Sequence, residues 1–275
     1  MANAASAADT TARQQIVSRT DAKGDVRIAV TIRGAGPLVV LIPSLGRGGA
    51  DFDDLATRLA AAGFEAAAID PRGIGQSSGP MEGVTLADYA TDVAAVVKAL
   101  SPEPAVLVGH AFGNRVARAT AAADPAVAAA LVLLAAGGQV APALDASKAL
   151  MDVFDTSLAP DKHLAAVQKA FFAPGHDPRI WSDGWNPTVM RAQRAALRAT
   201  GPETWVGAGK ADILIVQAED DVIAPPANAE ALVKAYPDRV KVVLLPHAGH
   251  AMLPEQPKAI ADIVIGFLAR RGAPR

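Results

Sequence analysis

Val106-Leu107-Val108-Gly109-His110-Ala111-Phe112-Gly113-Asn114 is the stretch on which the reading of this chain turns. An apolar, β-branched run stops at a glycine, a second glycine follows four residues later, and helical spacing begins at once. That order describes a strand, a sharp turn and a helix. Glycine on both flanks is what a tight turn demands, because a Cβ atom there would meet neighbouring backbone. Between the glycines stands Ala111, whose methyl group offers no donor, acceptor or nucleophile.

Working outward, the same alternation recurs. Leu38-Val39-Val40-Leu41-Ile42 is continuously apolar, as a strand buried on both faces must be. Phe64 to Ile69, Ala130 to Leu134, Ile213 to Val216 and Val240 to Leu245 read as further strands. Helical patterns run from Asp51 to Ala62, Thr85 to Leu100, Phe112 to Ala123, Asn228 to Tyr236 and Pro257 to Arg270. Val26 to Ile32 alternates apolar and polar residues, which suggests a half-exposed antiparallel strand. Strands alternating with helices predict an α/β fold: a mostly parallel sheet with helices on both faces. The alternation lapses between residues 141 and 209, where the pattern is helical and all three tryptophans lie. The expected organisation is a core of residues 1–140 and 210–275 with an inserted helical cap, 141–209.

Composition narrows the function classes. With 51% hydrophobic and 20% charged residues, the 275-residue chain can bury a large core. A net charge of −2 gives no electrostatic case for nucleic acid or an acidic membrane. There are no cysteines, so disulfides and thiol nucleophiles are excluded. No apolar run approaches the roughly 20 residues of a membrane span. The first fifteen residues lack the basic start and apolar core of a signal peptide and read as a frayed terminus, and a cytoplasmic location is expected. No metal-ligand cluster or cofactor motif is evident.

Five separated motifs together resemble the α/β-hydrolase superfamily, of the serine esterase type. They are Pro43-Ser44-Leu45-Gly46, Asp70-x-Arg72-Gly73-x-Gly75-x-Ser77, the Gly109-His110-Ala111-Phe112-Gly113 turn, Ala218-Glu219-Asp220-Asp221-Val222-Ile223-Ala224-Pro225, and Gly249-His250 followed by Glu255-Gln256-Pro257. Their order along the chain is the family's order of nucleophile, acid and histidine. The resemblance implies a nucleophile at position 111, a base at His250 and an orienting acid at Asp221, with Asp220 and Glu219 as the neighbouring alternatives. It implies an oxyanion hole from the amides of Leu45 and Phe112. Ser44 lies close enough in sequence to touch substrate, although a turn role also accounts for it. His110 reads as packing beside the elbow, and His163, His176 and His247 as solvated or structural. Asp70 and Arg72 read as holding their own loop. Gly75-Gln76-Ser77-Ser78-Gly79 repeats the Gly-x-Ser-x-Gly pattern without a strand before it or a helix after it, and is set aside.

The resemblance implies Ser-His-Asp hydrolysis of a small carboxylic ester, with no cofactor. Alanine at 111 then reads as a serine exchanged so that substrate binds without being cleaved. A natural ligand-binding or receptor protein on the same fold is the alternative. Lactone, amide and carbon–carbon bond hydrolysis rank lower; for the last, Ala251 rather than tryptophan follows His250. Trp181, Trp185 and Trp205 are candidate walls of an apolar or aromatic pocket, or equally the cap's own core. Arg191, Arg194 and Arg198 share one helix face, where they could meet a substrate carboxylate or only solvent.

Overall fold

The structure, a computed structural model, describes residues 10–272. Its centre is an eight-stranded sheet in the order β1-β2-β4-β3-β5-β6-β7-β8. The strands are β1 (Arg13–Asp21), β2 (Gly24–Arg33), β3 (Leu38–Ile42), β4 (Glu65–Ile69), β5 (Ala105–His110), β6 (Ala128–Leu134), β7 (Ile213–Ala218) and β8 (Val240–Leu245). From β4 to β8 every pairing is parallel, while β1 and β2 form an antiparallel hairpin whose inner strand, β2, pairs antiparallel with β4. This is the mostly parallel sheet with helices on both faces that the alternation of elements predicts.

The helices are α1 (Asp53–Ala61), α2 (Leu86–Leu100), α3 (Phe112–Ala123), α4 (Leu144–Asp152), α5 (Pro160–Phe171), α6 (Pro187–Arg198), α7 (Ala227–Ala235), the single turn α8 (Met252–Glu255) and α9 (Pro257–Gly272). The period-two alternation of each central strand feeds two cores. Leu131 and Leu133 of β6 face the α2, α3 and α7 side, with Leu86, Val93, Val116 and Leu232. Ala130, Val132 and Leu134 face the α1 and α9 side, with Leu55, Leu59, Val264 and Leu268. Strands buried on both faces must be apolar throughout, which is why β3, β5 and β6 read as unbroken runs.

Between β6 and β7 stand α4, α5 and α6. Val153, Val167, Phe171, Phe172 and Trp181 form a small core there, together with Ala251 from beyond β8. The end of the same segment, Trp205 and Ala208, instead joins the core under α2 and α3.

Two expectations are corrected. Arg13 to Gln15, assigned to a frayed terminus, begin β1; residues 1–9 lie outside the described residues. The strand escaped notice because a polar edge strand such as RQQIVSRTD has little apolar periodicity and is held by its hairpin partner. Arg72 holds more than its own loop. It is fully buried and donates to Asp92 of α2 from Nε at 2.6 Å and Nη2 at 3.0 Å. Arg19 of β1 reaches the same carboxylate at 2.7 Å, so one acid joins the loop, a helix and the edge hairpin. Ser77, set aside as a nucleophile, is a structural hydroxyl that accepts from the Ala29 amide and donates to the Asp70 carbonyl, both at 2.8 Å.

Removing Asp92 leaves Arg72 buried without its counter-charge. Asp92→Ala should therefore cost about 3–5 kcal/mol of stability by urea unfolding. A loss below about 1 kcal/mol would show that Arg72 finds solvent or another acid.

Candidate active site

The elbow forms because two backbones touch. A Cβ on Gly113 would lie 2.1 Å from the Ile42 carbonyl oxygen, and one on Gly109 would lie 2.4 Å from the Gly113 oxygen. Both approaches forbid any side chain. The residue between them absorbs the reversal from strand to helix: Ala111 sits at φ 51°, ψ −105°. A conformation this sparsely populated costs alanine on the order of 1–3 kcal/mol.

His250 and Asp221 meet behind the elbow. His250 Nδ1 lies 3.0 Å from Asp221 Oδ1 and 2.9 Å from Oδ2, with both residues buried. Asp221 Oδ1 also accepts the amides of Ile223 and Ala224 at 2.9 and 2.7 Å, which aims the carboxylate. Donation from Nδ1 leaves Nε2 as the basic nitrogen. Asp220 and Glu219, the neighbouring alternatives, are exposed.

Ala111, His250, Ser44, Leu45 and Phe112 all line one cavity of about 400 Å³, on the side where α4, α5 and α6 lie. Phe112 opens α3, so its amide has no partner within the helix. No hydrogen-bond partner is found for the Leu45 or Phe112 amide among the described residues. The Leu45 loop is held from the opposite side: the Gly46 amide donates to Gln193 Oε1 of α6 at 2.8 Å. Glu255 does the same for the histidine loop, accepting the Gly249 and Ala173 amides at 2.7 Å each. Burial raises the Glu255 carboxyl above its ordinary range.

Of the three tryptophans, only Trp185 lines the cavity. Trp181 is turned into the small core against Phe171 and Phe172, and with Trp185 it brackets the Arg47 guanidinium, 4.3 Å from each ring. Trp205 is buried under α3 with the Arg118 guanidinium 4.6 Å from its ring. An indole buries its large face wherever a core is available, so sequence placement in the segment did not imply contact with the cavity. Of the arginine face on α6, Arg194 and Arg198 line the cavity, while Arg191 is exposed and donates to Thr188. Sequence reading missed Arg115, which also lines it; spacing of i, i+4 from Ala111 was the available signal. Gln193 was missed too.

His247, at φ 53°, is exposed and away from the dyad; its carbonyl accepts from His176. His163 is tied to the Val153 carbonyl. His110 is fully buried and donates from Nε2 to the His250 carbonyl at 2.9 Å. No group of His, Cys, Asp or Glu able to hold a metal is found among the described residues, and no helix there is long and apolar enough to cross a membrane.

A strained Gly-x-x-x-Gly elbow and a buried His–Asp pair thus share one cavity with Leu45 and Phe112, whose amides have no partner among the described residues. The chain belongs to the alpha/beta hydrolase fold family, whose model matches residues 37–257. It is 30% identical over 251 residues to "Putative carbamate hydrolase RutD" of Variovorax paradoxus, covering 87% of this chain and 94% of that protein. It is 27% identical to 2-(acetamidomethylene)succinate hydrolase of Mesorhizobium japonicum, covering 94% and 97%. An esterase from Exiguobacterium antarcticum has the same fold, with a TM-score of 0.77, 19% identity, and coverage of 93% of this chain and 100% of that one.

Burial, together with the nearby His250 and Arg47 charges, pushes His110 down to about 3. A depressed folded value means the unfolded chain takes the proton first. His110 therefore contributes stability that is full above pH 6.5 and is lost as pH falls toward 3. Its imidazole resonances should not titrate between pH 8 and 5 by NMR; a midpoint near 6.5 would contradict this burial.

Proposed function

We propose that this site is built to hydrolyse a small carboxylic ester by a Ser-His-Asp route, and that Ala111 stands where the serine belongs. The observation that carries the proposal is the buried His250–Asp221 pair sharing a cavity with Ala111. Its relatives named as hydrolases and as an esterase support it. Segment 141–209 would act as the cap over that cavity.

The roles follow from the geometry. With a serine at 111, His250 Nε2 would take the hydroxyl proton while Asp221 holds the imidazole in the Nδ1–H tautomer. The attacked carbonyl oxygen, becoming negative, would be met by the Leu45 and Phe112 amides. The alcohol would leave with the proton from His250, and water activated by the same base would release the acid. With alanine no acyl-enzyme can form, so the chain as written holds substrate uncleaved. A volume of about 400 Å³ suits a small ester, and Trp185, Phe112 and Phe171 give it an aromatic wall.

Ala111→Ser should raise turnover of an activated ester by on the order of 10⁴-fold or more over the parent. It should change stability by less than about 0.5 kcal/mol, since the elbow strain is already present. Burst kinetics would reveal the acyl-enzyme, and adding His250→Ala should abolish the gain. A folded serine variant inert toward every ester tested, while the parent still binds a small molecule tightly, would favour the natural binding-protein reading instead.

A further inference from the structure

Three arginines line the cavity and no aspartate or glutamate does. Arg115 comes from α3, one helical turn beyond Ala111, and Arg194 and Arg198 come from α6. Arg115 is half-buried. Its Nε has no hydrogen-bond partner, and the charge that acts on it is another cation, Arg194. Burial first, and that repulsion second, weaken its hold on its proton. Arg194 Nη1 rests on the thioether sulfur of Met151, a weak acceptor.

Behind Arg115 lies Arg118, fully buried. It donates from Nη2 to Asn114 Oδ1 at 2.7 Å and to the Gly137 carbonyl at 2.5 Å, and its Nη1 is unpartnered. Burial and Arg115 push Arg118 down to about 9. The other buried arginines are treated differently. Arg72 is paired with Asp92 and Arg47 with Asp51. A chain with a net charge of −2 thus supplies acids to its structural arginines and withholds them here. An uncompensated buried guanidinium is costly, and an anionic ligand would remove that cost when it binds.

We propose that Arg115, with Arg194 and Arg198, forms a carboxylate subsite, so that the ligand is the half-ester of a short dicarboxylic acid. This rests on the ester reading above for the position of the carbonyl, beside Ala111. Arg115 lies four residue steps beyond Ala111, about 6 Å of helical rise, which sets a spacer of a few carbons between the ester and the acid. Leu150, Leu197 and Ile223 line the same cavity and supply apolar surface for that spacer. The planar guanidinium fork matches a carboxylate in two hydrogen bonds.

The test is calorimetric titration of the unaltered chain with monoethyl succinate, glutarate and adipate and with the matching diethyl esters. At least one half-ester should bind roughly tenfold or more tightly than its diester. Arg115→Gln should erase that preference while moving the diester affinity less than about threefold. Its melting temperature should equal or exceed the parent's, because repulsion with Arg118 is relieved. Arg194→Gln, at a half-exposed position on α6, should likewise weaken the preference. Equal binding of half-ester and diester, a preference that survives both substitutions, no binding of any probe, or inorganic phosphate outcompeting succinate would each overturn the carboxylate subsite. The two readings fail separately. A serine variant that cleaves neutral esters without any half-ester preference removes only the subsite. Arg115-dependent half-ester binding with an inert serine variant removes only the ester chemistry.

Discussion

The contact between the Gly113 position and the Ile42 carbonyl governs the rest of the site. With 2.1 Å available where a Cβ would stand, helix α3 can lie against the end of β3 only if residue 113 has no side chain. That contact forces the reversal at Ala111 and brings the first amide of α3 beside the Leu45 loop. It also sends Arg115 into the same cavity one turn later. Strain at Ala111 is therefore the cost of aligning an amide, the residue-111 side chain and a cation along one helix end.

The cavity is also held together from its far side. Gln193 of α6 fixes the Leu45 loop through Gly46, and Glu255 ties the histidine loop to the end of α5 through Gly249 and Ala173. Each tie is a side-chain acceptor meeting backbone amides that would otherwise be buried unpaired, a deficit of about 1–3 kcal/mol apiece. The segment between β6 and β7 thus shares in positioning two of the loops that surround Ala111. Movement of α5 or α6 would be felt directly by the His250 loop and by the Leu45 loop.

Much of this was legible in the sequence because it rests on local rules. Paired glycines announce the elbow, unbroken apolar runs announce strands buried on both faces, and the order of motifs announces the α/β-hydrolase fold. Asp221 could be set apart from Asp220 and Glu219 by motif spacing, and the structure brings Asp221 alone to His250. What escaped were facts of the third dimension. The edge strand from Arg13 is specified by its hairpin partner rather than by its own pattern. Trp181 and Trp205 were indistinguishable from Trp185 until their packing was known. Arg115 looked like an ordinary charged residue of an amphipathic helix, because the absence of an acid partner is not written in any one stretch of sequence.

The central claim is that a complete ester-binding site surrounds a missing nucleophile. A crystal structure of the unaltered chain soaked with an intact monoethyl half-ester tests it most directly. The account predicts unbroken ester in the cavity, its carbonyl carbon facing Ala111 Cβ and its carbonyl oxygen within hydrogen-bond distance of the Leu45 and Phe112 amides. An ester bound with its carbonyl turned away from both amides, or bound outside this cavity, would contradict it.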